Sequence, residues 1–357
     1  MKKVIALADR SSAAAMWALA LANILFVLAV AATLMALAGK AHAANPAATC
    51  SGADMLARIR AEQPEASAKI EADAAATRNG SGLLWKIDKA GLEPSYLFGT
   101  MHMTDPRVVS LTPPAQAAFD ASRTVVIETT DMLDQSKLMA SLMTSPDLMM
   151  FTDDTTLTSL LSAEDRAIVE KGLAERGIPL ASVIKMKPWM LAAMVSLPAC
   201  EMSRKAAGEP MLDVKLAQEA LAAGKQLGGL ETAKSQLEAM ASLPLEFHID
   251  GLVETLKLGA GAEDIGETMI GIYKTGEIGK FIPFMRAAVP TQKSGDAGYA
   301  AFEEKMITAR NATMATNAET YLARGKAFIA VGALHLPGDE GVIEKLRRAG
   351  YTVTRAD

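Results

Sequence analysis

Cysteine and histidine are both scarce in this chain: its 357 residues include two cysteines and four histidines. Cys50 and Cys200 are isolated, so a Cys-based metal centre, which needs ligands at short spacing, is excluded. The two could still pair with each other in an oxidising compartment. An excess of basic residues is missing too. Lys and Arg number 36 against 41 Asp and Glu, a formal charge of -5. Nucleic-acid binding rests on clustered Lys and Arg, so a nucleic-acid partner is not expected.

What is present begins with an N-terminal address. Lys2, Lys3 and Arg10 precede an apolar run from Ala13 to Ala38, and Ala41-His42-Ala43 follows. A basic start, an apolar stretch and small residues at a cleavage point make a secretory signal. The run is also long enough to span a bilayer, so an uncleaved membrane anchor is the alternative. Either places the rest of the chain outside the cytoplasm, in the periplasm or at the envelope. Cleavage after Ala43 removes four basic residues (Lys2, Lys3, Arg10, Lys40) and one acidic residue (Asp9), which takes the charge from -5 to -8 and leaves 314 residues. That length supports a core without disulfide staples. Residues 44–80 form an Ala- and Glu-rich segment with short peripheral helices, and 81–357 form the main domain.

Within that domain Leu84 to Ile87 and Tyr96 to Phe98 pattern as a hairpin around the turn Ala90 to Pro94. Thr112-Pro113-Pro114 opens a helix to Ala121. Thr124 to Ile127 is a buried strand. Strand, helix, strand suggests a βαβ unit and an α/β fold, with α+β as the alternative. The expected sheet is mixed and mainly parallel. A large helical insertion fills about 132–325, with helices expected at Leu138 to Met143, Ala163 to Arg176, Lys187 to Leu197, Met211 to Ala223, Thr232 to Lys257, Ala262 to Met285 and Tyr299 to Leu322. Its many methionines suit an adaptable core or a groove for a flexible partner. A short strand at Lys225 to Leu230 interrupts it. The closing unit is strand Ala327 to Val331, helix Gly341 to Arg348 and strand Tyr351 to Thr354.

Two of the four histidines share one context. Tyr96-Leu97-Phe98-Gly99-Thr100-Met101-His102 and Ala327 through Gly332-Ala333-Leu334-His335 are each an apolar strand followed by Gly-x-x-His. Two other strands end in carboxylates, Glu128 and Glu231. In open α/β sheets, sites form beyond the carboxyl ends of parallel strands. Glycine before each histidine lets the chain turn sharply or a ligand approach closely. Two imidazoles and a carboxylate suit a divalent metal such as zinc, or manganese with more oxygen ligands. The second carboxylate would then serve as a general base. Each element also has a plain structural explanation: a strand-end histidine or glutamate can simply be hydrogen-bonded. Arg310-Asn311 by default lies on a solvated helix face, and His248 is structural.

At these residues the chain resembles the TraB/GumN family, which includes the Tiki metalloproteases. The resemblance covers about Leu83 to Arg355. Its matching residues are Trp85, Leu97 to His102, Val126-Ile127-Glu128, Lys187-Pro188-Trp189, Leu230-Glu231-Thr232 with Gln236, Arg310-Asn311, and Val331 to Leu336. It departs at Met211, where the family usually has glycine ahead of an apolar-Asp pair, so the role of Asp213 is left open. The resemblance implies a sheet built from two related halves and a metal-dependent peptidase acting on peptide or protein substrates. His102, Glu128 and His335 would hold a divalent ion (zinc, manganese or cobalt). Glu231, Arg310 and Asn311 would line the catalytic site, with Arg310 stabilising an oxyanion. The competing expectation is a non-catalytic envelope protein that binds a metal, haem or a peptide. A structural or assembly role at the cell surface would instead leave the strand-end residues apart.

Overall fold

The computed structural model describes residues 52–134, 136, 144–259, 261–289 and 294–357. The N-terminal address, Cys50 and the helix expected at Leu138 to Met143 lie outside the described residues, and with Cys50 the question of a Cys50–Cys200 pairing. Cys200 itself is buried and is not a free thiol. Among the described residues no helix is long and apolar enough to cross a membrane.

Six strands form one sheet: β1 (Leu84–Asp88), β2 (Ser95–Thr100), β3 (Thr124–Ile127), β4 (Gln226–Gly229), β5 (Ala327–Gly332) and β6 (Thr352–Arg355). Their spatial order is β4-β3-β5-β2-β1-β6. The neighbours β4, β3, β5 and β2 are parallel, whereas β1 runs antiparallel to both β2 and β6. The α/β expectation with a mixed, mainly parallel sheet holds. One detail differs from a simple βαβ unit, because β5 from the end of the chain lies between β2 and β3. This insertion puts both Gly-x-x-His motifs on adjacent strands, with Thr100 opposite Gly332.

Composition explains the layering. Every residue of β3 is buried, and so are the first five of β5. Such continuous apolar runs are what strands covered on both faces require. On one face Phe98, Val125, Ile127 and Phe328 pack with Phe119, Leu216, Ile270 and Phe284. The Phe328 ring meets Phe98 at 5.6 Å and Phe119 edge-on at 5.6 Å. On the other face Leu97, Val126, Ile329 and Val331 pack with Met314, Ala318 and Leu346. A third cluster, centred on Leu157, Leu173, Leu191 and Leu252, holds a helical lobe together. The helices at Met55–Glu62 and Pro64–Ala76 form where expected, but they are not detached, since Met55, Ile59 and Ile70 join the first cluster.

Proline and glycine account for the helix boundaries that differ. The stretch expected from Thr232 to Lys257 is two helices, Ala233–Ala241 and Leu245–Leu258, with Pro244 as the cap of the second. The stretch from Ala262 to Met285 also divides, into Gly261–Thr275 and Phe281–Ala288. Gly276 leaves the first in the left-handed region at φ 69°, and Pro283 falls in the first turn of the second, where its missing N–H costs nothing. The long helix expected over Tyr299 to Leu322 begins at Gly295 and passes through a π-helical turn at Glu303–Thr308 before Ala309–Leu322.

Candidate metal centre and catalytic site

The parallel strands deliver their carboxyl ends to one edge of the sheet, and the expected residues meet there. The Glu128 Oε1 atom lies 3.6 Å from His335 Nε2 and 4.0 Å from His102 Nε2. Its other oxygen accepts from Arg310 Nη2 at 2.8 Å and from Gln236 Nε2 at 3.0 Å. Glu231 accepts from the same arginine through both oxygens, at 2.8 to 3.3 Å, and from Gln236 at 3.3 Å. Of the other five residues expected at the site, His102, His335 and Arg310 thus face Glu128 directly, Glu231 reaches it through Arg310, and Asn311 through His335.

Each imidazole is fixed from behind. Asn311 donates its Nδ2 to the Glu340 carbonyl at 2.9 Å, which turns its Oδ1 toward His335 Nδ1 at 2.7 Å. The amide oxygen can only accept, so the His335 proton sits on Nδ1 and the Nε2 lone pair faces Glu128. His102 Nδ1 faces the Asp213 carboxylate at 2.8 Å, and Asp213 also accepts from Thr100 Oγ1 at 2.7 Å. Asp213 lies in the first turn of helix Leu212–Ala222, where a carboxylate is favoured by the unpaired N–H groups. The Met211 departure thus leaves Asp213 in a working position. Thr100 was not recognisable as a participant, because nothing before folding links it to residue 213. Arg310 and Asn311 are not on a solvated face: Asn311 is 1 % exposed and the Arg310 side chain 12 %. The π-helical turn just before them shifts the helix register, a distortion found often at functional sites. His248 is structural as expected, with Nε2 paired to the Met240 carbonyl at 3.0 Å.

The electrostatics divide the two histidines. Asp213 raises the His102 pKa to about 9, against the opposing effect of burial. The ring is half exposed, so solvent screens part of that attraction. Burial lowers His335 to about 4, although Glu128 pulls the other way. Burial pushes Glu128 up, but His335, His102, Arg310 and the Gly332 N–H outweigh it and bring the carboxyl down to about 2. Burial likewise opposes the charge on Arg310, and Glu231 and Glu128 override it, so its pKa is raised. At neutral pH the metal-free centre thus contains the Glu128 carboxylate, the Arg310 guanidinium, a protonated His102 and a neutral His335.

The two motif glycines have different tasks. At Gly99 a Cβ would lie 2.7 Å from Leu336 Cδ1 and 3.2 Å from Ala333, so glycine here lets the other motif's turn pack closely. At Gly332 a Cβ would lie 3.1 Å from Glu128 Oε1, 3.5 Å from His335 Cδ2 and 3.6 Å from His102 Nε2. Glycine there keeps open the space that the three side chains surround. The Gly332 N–H also donates to Glu128 Oε1 at 2.7 Å. A tetrahedral ion with bonds of about 2.0 to 2.2 Å places its donors about 3.3 to 3.6 Å apart. The donor types, the His335 tautomer and the open space fit such an ion; the 3.6 Å from Glu128 to His335 falls in that range, and the 4.0 Å to His102 is wider than a bound ion demands. Among the described residues no set of three or more His, Cys, Asp or Glu side chains is closed tightly enough to hold a metal.

The site opens into a cavity of about 460 Å³ that extends from His102, Arg310 and His335 along Met101, Met240, Met269 and Met306. The helical methionines thus serve partly as groove, whereas Met55 and Met314 are core.

Fold and site together define an α/β protein with two histidines and a carboxylate converging at parallel strand ends. The TraB/PrgY/gumN family matches residues 83–355, and the chain belongs to it. It is similar to metalloprotease TIKI2 of Danio rerio, 27 % identical over an alignment 322 residues long that covers 76 % of this chain and 60 % of the relative. Metalloprotease TIKI1 of Danio rerio is 28 % identical over 316 residues, 76 % of this chain and 63 % of the relative. Metalloprotease TIKI1 of Homo sapiens is 27 % identical over 322 residues, 77 % of this chain and 62 % of the relative. The chain therefore spans about 60 % of the length of the relatives it matches. No solved structure matches it significantly.

Proposed function

We propose that the chain is an exported metal-dependent peptidase whose divalent ion is held by His102 Nε2, His335 Nε2 and Glu128. The observation that carries this reading is the convergence of both imidazoles on Glu128 Oε1 while the Nδ1 atom of each is tied to its own acceptor. Outer partners of this kind fix ring direction and ligand basicity at metal sites. The names of the TIKI relatives support the same class of chemistry. A divalent ion so held would act as a Lewis acid on a peptide carbonyl and acidify a bound water.

The protein's own groups supply the rest. Arg310 is held by Glu231 and Glu128 beside the open space, so its charge is fixed before substrate arrives. A fixed cation in a water-poor pocket stabilises negative charge that develops on a substrate oxygen. Glu231 engages Arg310 with both oxygens, which favours a positioning task over the general-base role expected for it. Asn311 acts through His335 and is also a positioning residue. The basic N-terminus, apolar run and Ala41-His42-Ala43 support action in the periplasm or envelope, with a membrane anchor as the variant form.

The test is to load the purified protein with zinc, manganese or cobalt and assay cleavage of a peptide library. Metal-dependent cleavage is expected, lost in the His102→Ala/His335→Ala variant. Equal metal affinity in wild type and this double variant would refute the assignment. A second reading, a non-catalytic peptide-binding protein, is favoured by the methionine-lined cavity beside the site, and would be preferred if peptide bound tightly without turnover.

A further inference from the structure

The cavity next to the proposed centre adjoins a second one. That second space, of about 350 Å³, lies between helices Leu245–Leu258, Gly261–Thr275 and Phe281–Ala288. The two share the wall formed by Ala262, Ile265, Met269, Phe281, Met285 and Phe302. They also share Leu334, a member of the second Gly-x-x-His motif. One short turn thus carries both a residue of the proposed centre, His335, and a residue of the apolar wall.

Charge is distributed unevenly along this space. The far cavity is lined by no Asp, Glu, Lys, Arg or His among its described residues. In the near cavity the charged or titratable lining is His102, His335, Arg310 and Glu201. Glu201 is fully buried and already paired with Arg204 at 2.8 Å and with the Thr104 N–H at 2.7 Å. Charged chemistry is therefore confined to the end where the strands terminate. Beyond Leu334 the walls offer thioether, aromatic and aliphatic surface, and the hydroxyls of Ser196, Thr255 and Tyr299 there already donate to backbone carbonyls. Both volumes fall in the range of about 300 to 1,000 Å³ common for small-ligand sites.

We propose that these two adjoining cavities join as the substrate's side-chain subsite, and that it selects peptides with a large apolar residue next to the bond presented at His102, His335 and Arg310. The proposal rests on the peptidase reading and names its substrate class. Burying a Leu, Met or Phe side chain there removes apolar surface from water, worth about 10- to 100-fold in binding. A charged residue would have to leave water with no partner among these walls, and is rejected. The methionines let the pocket adapt to linear or aromatic side chains, so the preference is for bulk and apolarity over shape.

The experiment uses the intact chain and the peptides acetyl-Ala-Ala-X-Ala-Ala-amide, with X as Trp, Phe, Leu, Gly or Asp. Calorimetry on the metal-free protein gives binding, and the cobalt-loaded protein gives kcat/KM. Phe and Leu peptides are expected to bind about 10- to 100-fold more tightly than the Gly peptide, and Asp more weakly still. Ala262→Phe, which fills the shared wall, should erase the preference. Met285→Ala, which enlarges the space, should shift it toward X as Trp, and remains informative if the first variant does not fold. Equal binding of Phe, Gly and Asp peptides, or selectivity unchanged in both variants, overturns the subsite. Selective binding lost in Ala262→Phe but without cleavage under any metal upholds the subsite and refutes the peptidase reading instead.

Discussion

Gly99 and Gly332 occupy the same place in two copies of one motif, yet substitution with alanine should give opposite results. At Gly332 the backbone sits at φ -52° and ψ 135°, which any residue adopts, so Gly332→Ala introduces no backbone strain. Its Cβ would stand 3.1 Å from Glu128 Oε1, which demands a shift of a few tenths of an ångström from one carboxylate. Against that cost, alanine restricts the unfolded chain and contributes about 0.4 to 1 kcal/mol of stability. The net change in stability should lie within about 1 kcal/mol of zero. The same methyl group, however, enters the space bounded by Glu128, His335 and His102, where metal bonds of about 2 Å leave no room for it. Metal affinity should fall by 100-fold or more, as for loss of a ligand. At Gly99 the Cβ would lie 2.7 Å from Leu336 Cδ1 and 3.2 Å from Ala333. Gly99→Ala is an overpacking change and should cost about 1 to 3 kcal/mol, with a weaker effect on metal affinity. Thermal unfolding by circular dichroism and calorimetric titration with zinc or cobalt measure both quantities for both variants. Wild-type metal affinity in Gly332→Ala would refute the reasoning, and so would equal losses of stability.

Further outcomes follow from the groups behind the site. Asn311→Leu removes the acceptor of His335 Nδ1 and should lower metal affinity about 10- to 100-fold by titration. It also strips the Glu340 carbonyl of its donor, at a cost of about 1 to 3 kcal/mol in chemical denaturation. Asp213→Asn should lower metal affinity by a similar 10- to 100-fold and bring the His102 pKa down from about 9, observable by NMR titration of the metal-free protein. Arg310→Ala leaves Glu128 and Glu231 without their shared cation in a buried setting and should destabilise by about 3 to 5 kcal/mol. The milder Arg310→Lys should retain metal binding while reducing kcat about 100-fold in a peptide assay, because a lysine cannot span both carboxylates as the guanidinium does.

Much of the sheet was legible because buried parallel strands impose uninterrupted apolar runs. The strand-end positions of His102, Glu128, Glu231 and His335 followed from the same pattern. The order of strands did not, since placing β5 between β2 and β3 depends on contacts more than two hundred residues apart in the chain. The helical middle was legible as helix but not in its breaks. Pro244 and Gly276 mark two of them, while the π-helical turn at Glu303–Thr308 has no single-residue signature. Arg310 and Asn311 illustrate the limit most clearly. In isolation they pattern as an exposed pair on a polar helix, and only the packing of that helix across the strand ends buries them beside Glu128 and His335. Asp213 and Thr100 depend on a contact between helix Leu212–Ala222 and the end of β2, which no spacing rule predicts.

The central claim is that His102, His335 and Glu128 share one ion. X-ray absorption of the zinc- or cobalt-loaded protein tests it directly. The account predicts two imidazole nitrogens and at least one carboxylate oxygen at about 2.0 to 2.2 Å, with one imidazole lost in His335→Ala and both lost in the double variant. A first coordination sphere without imidazole, or one unchanged when both histidines are replaced, would contradict it.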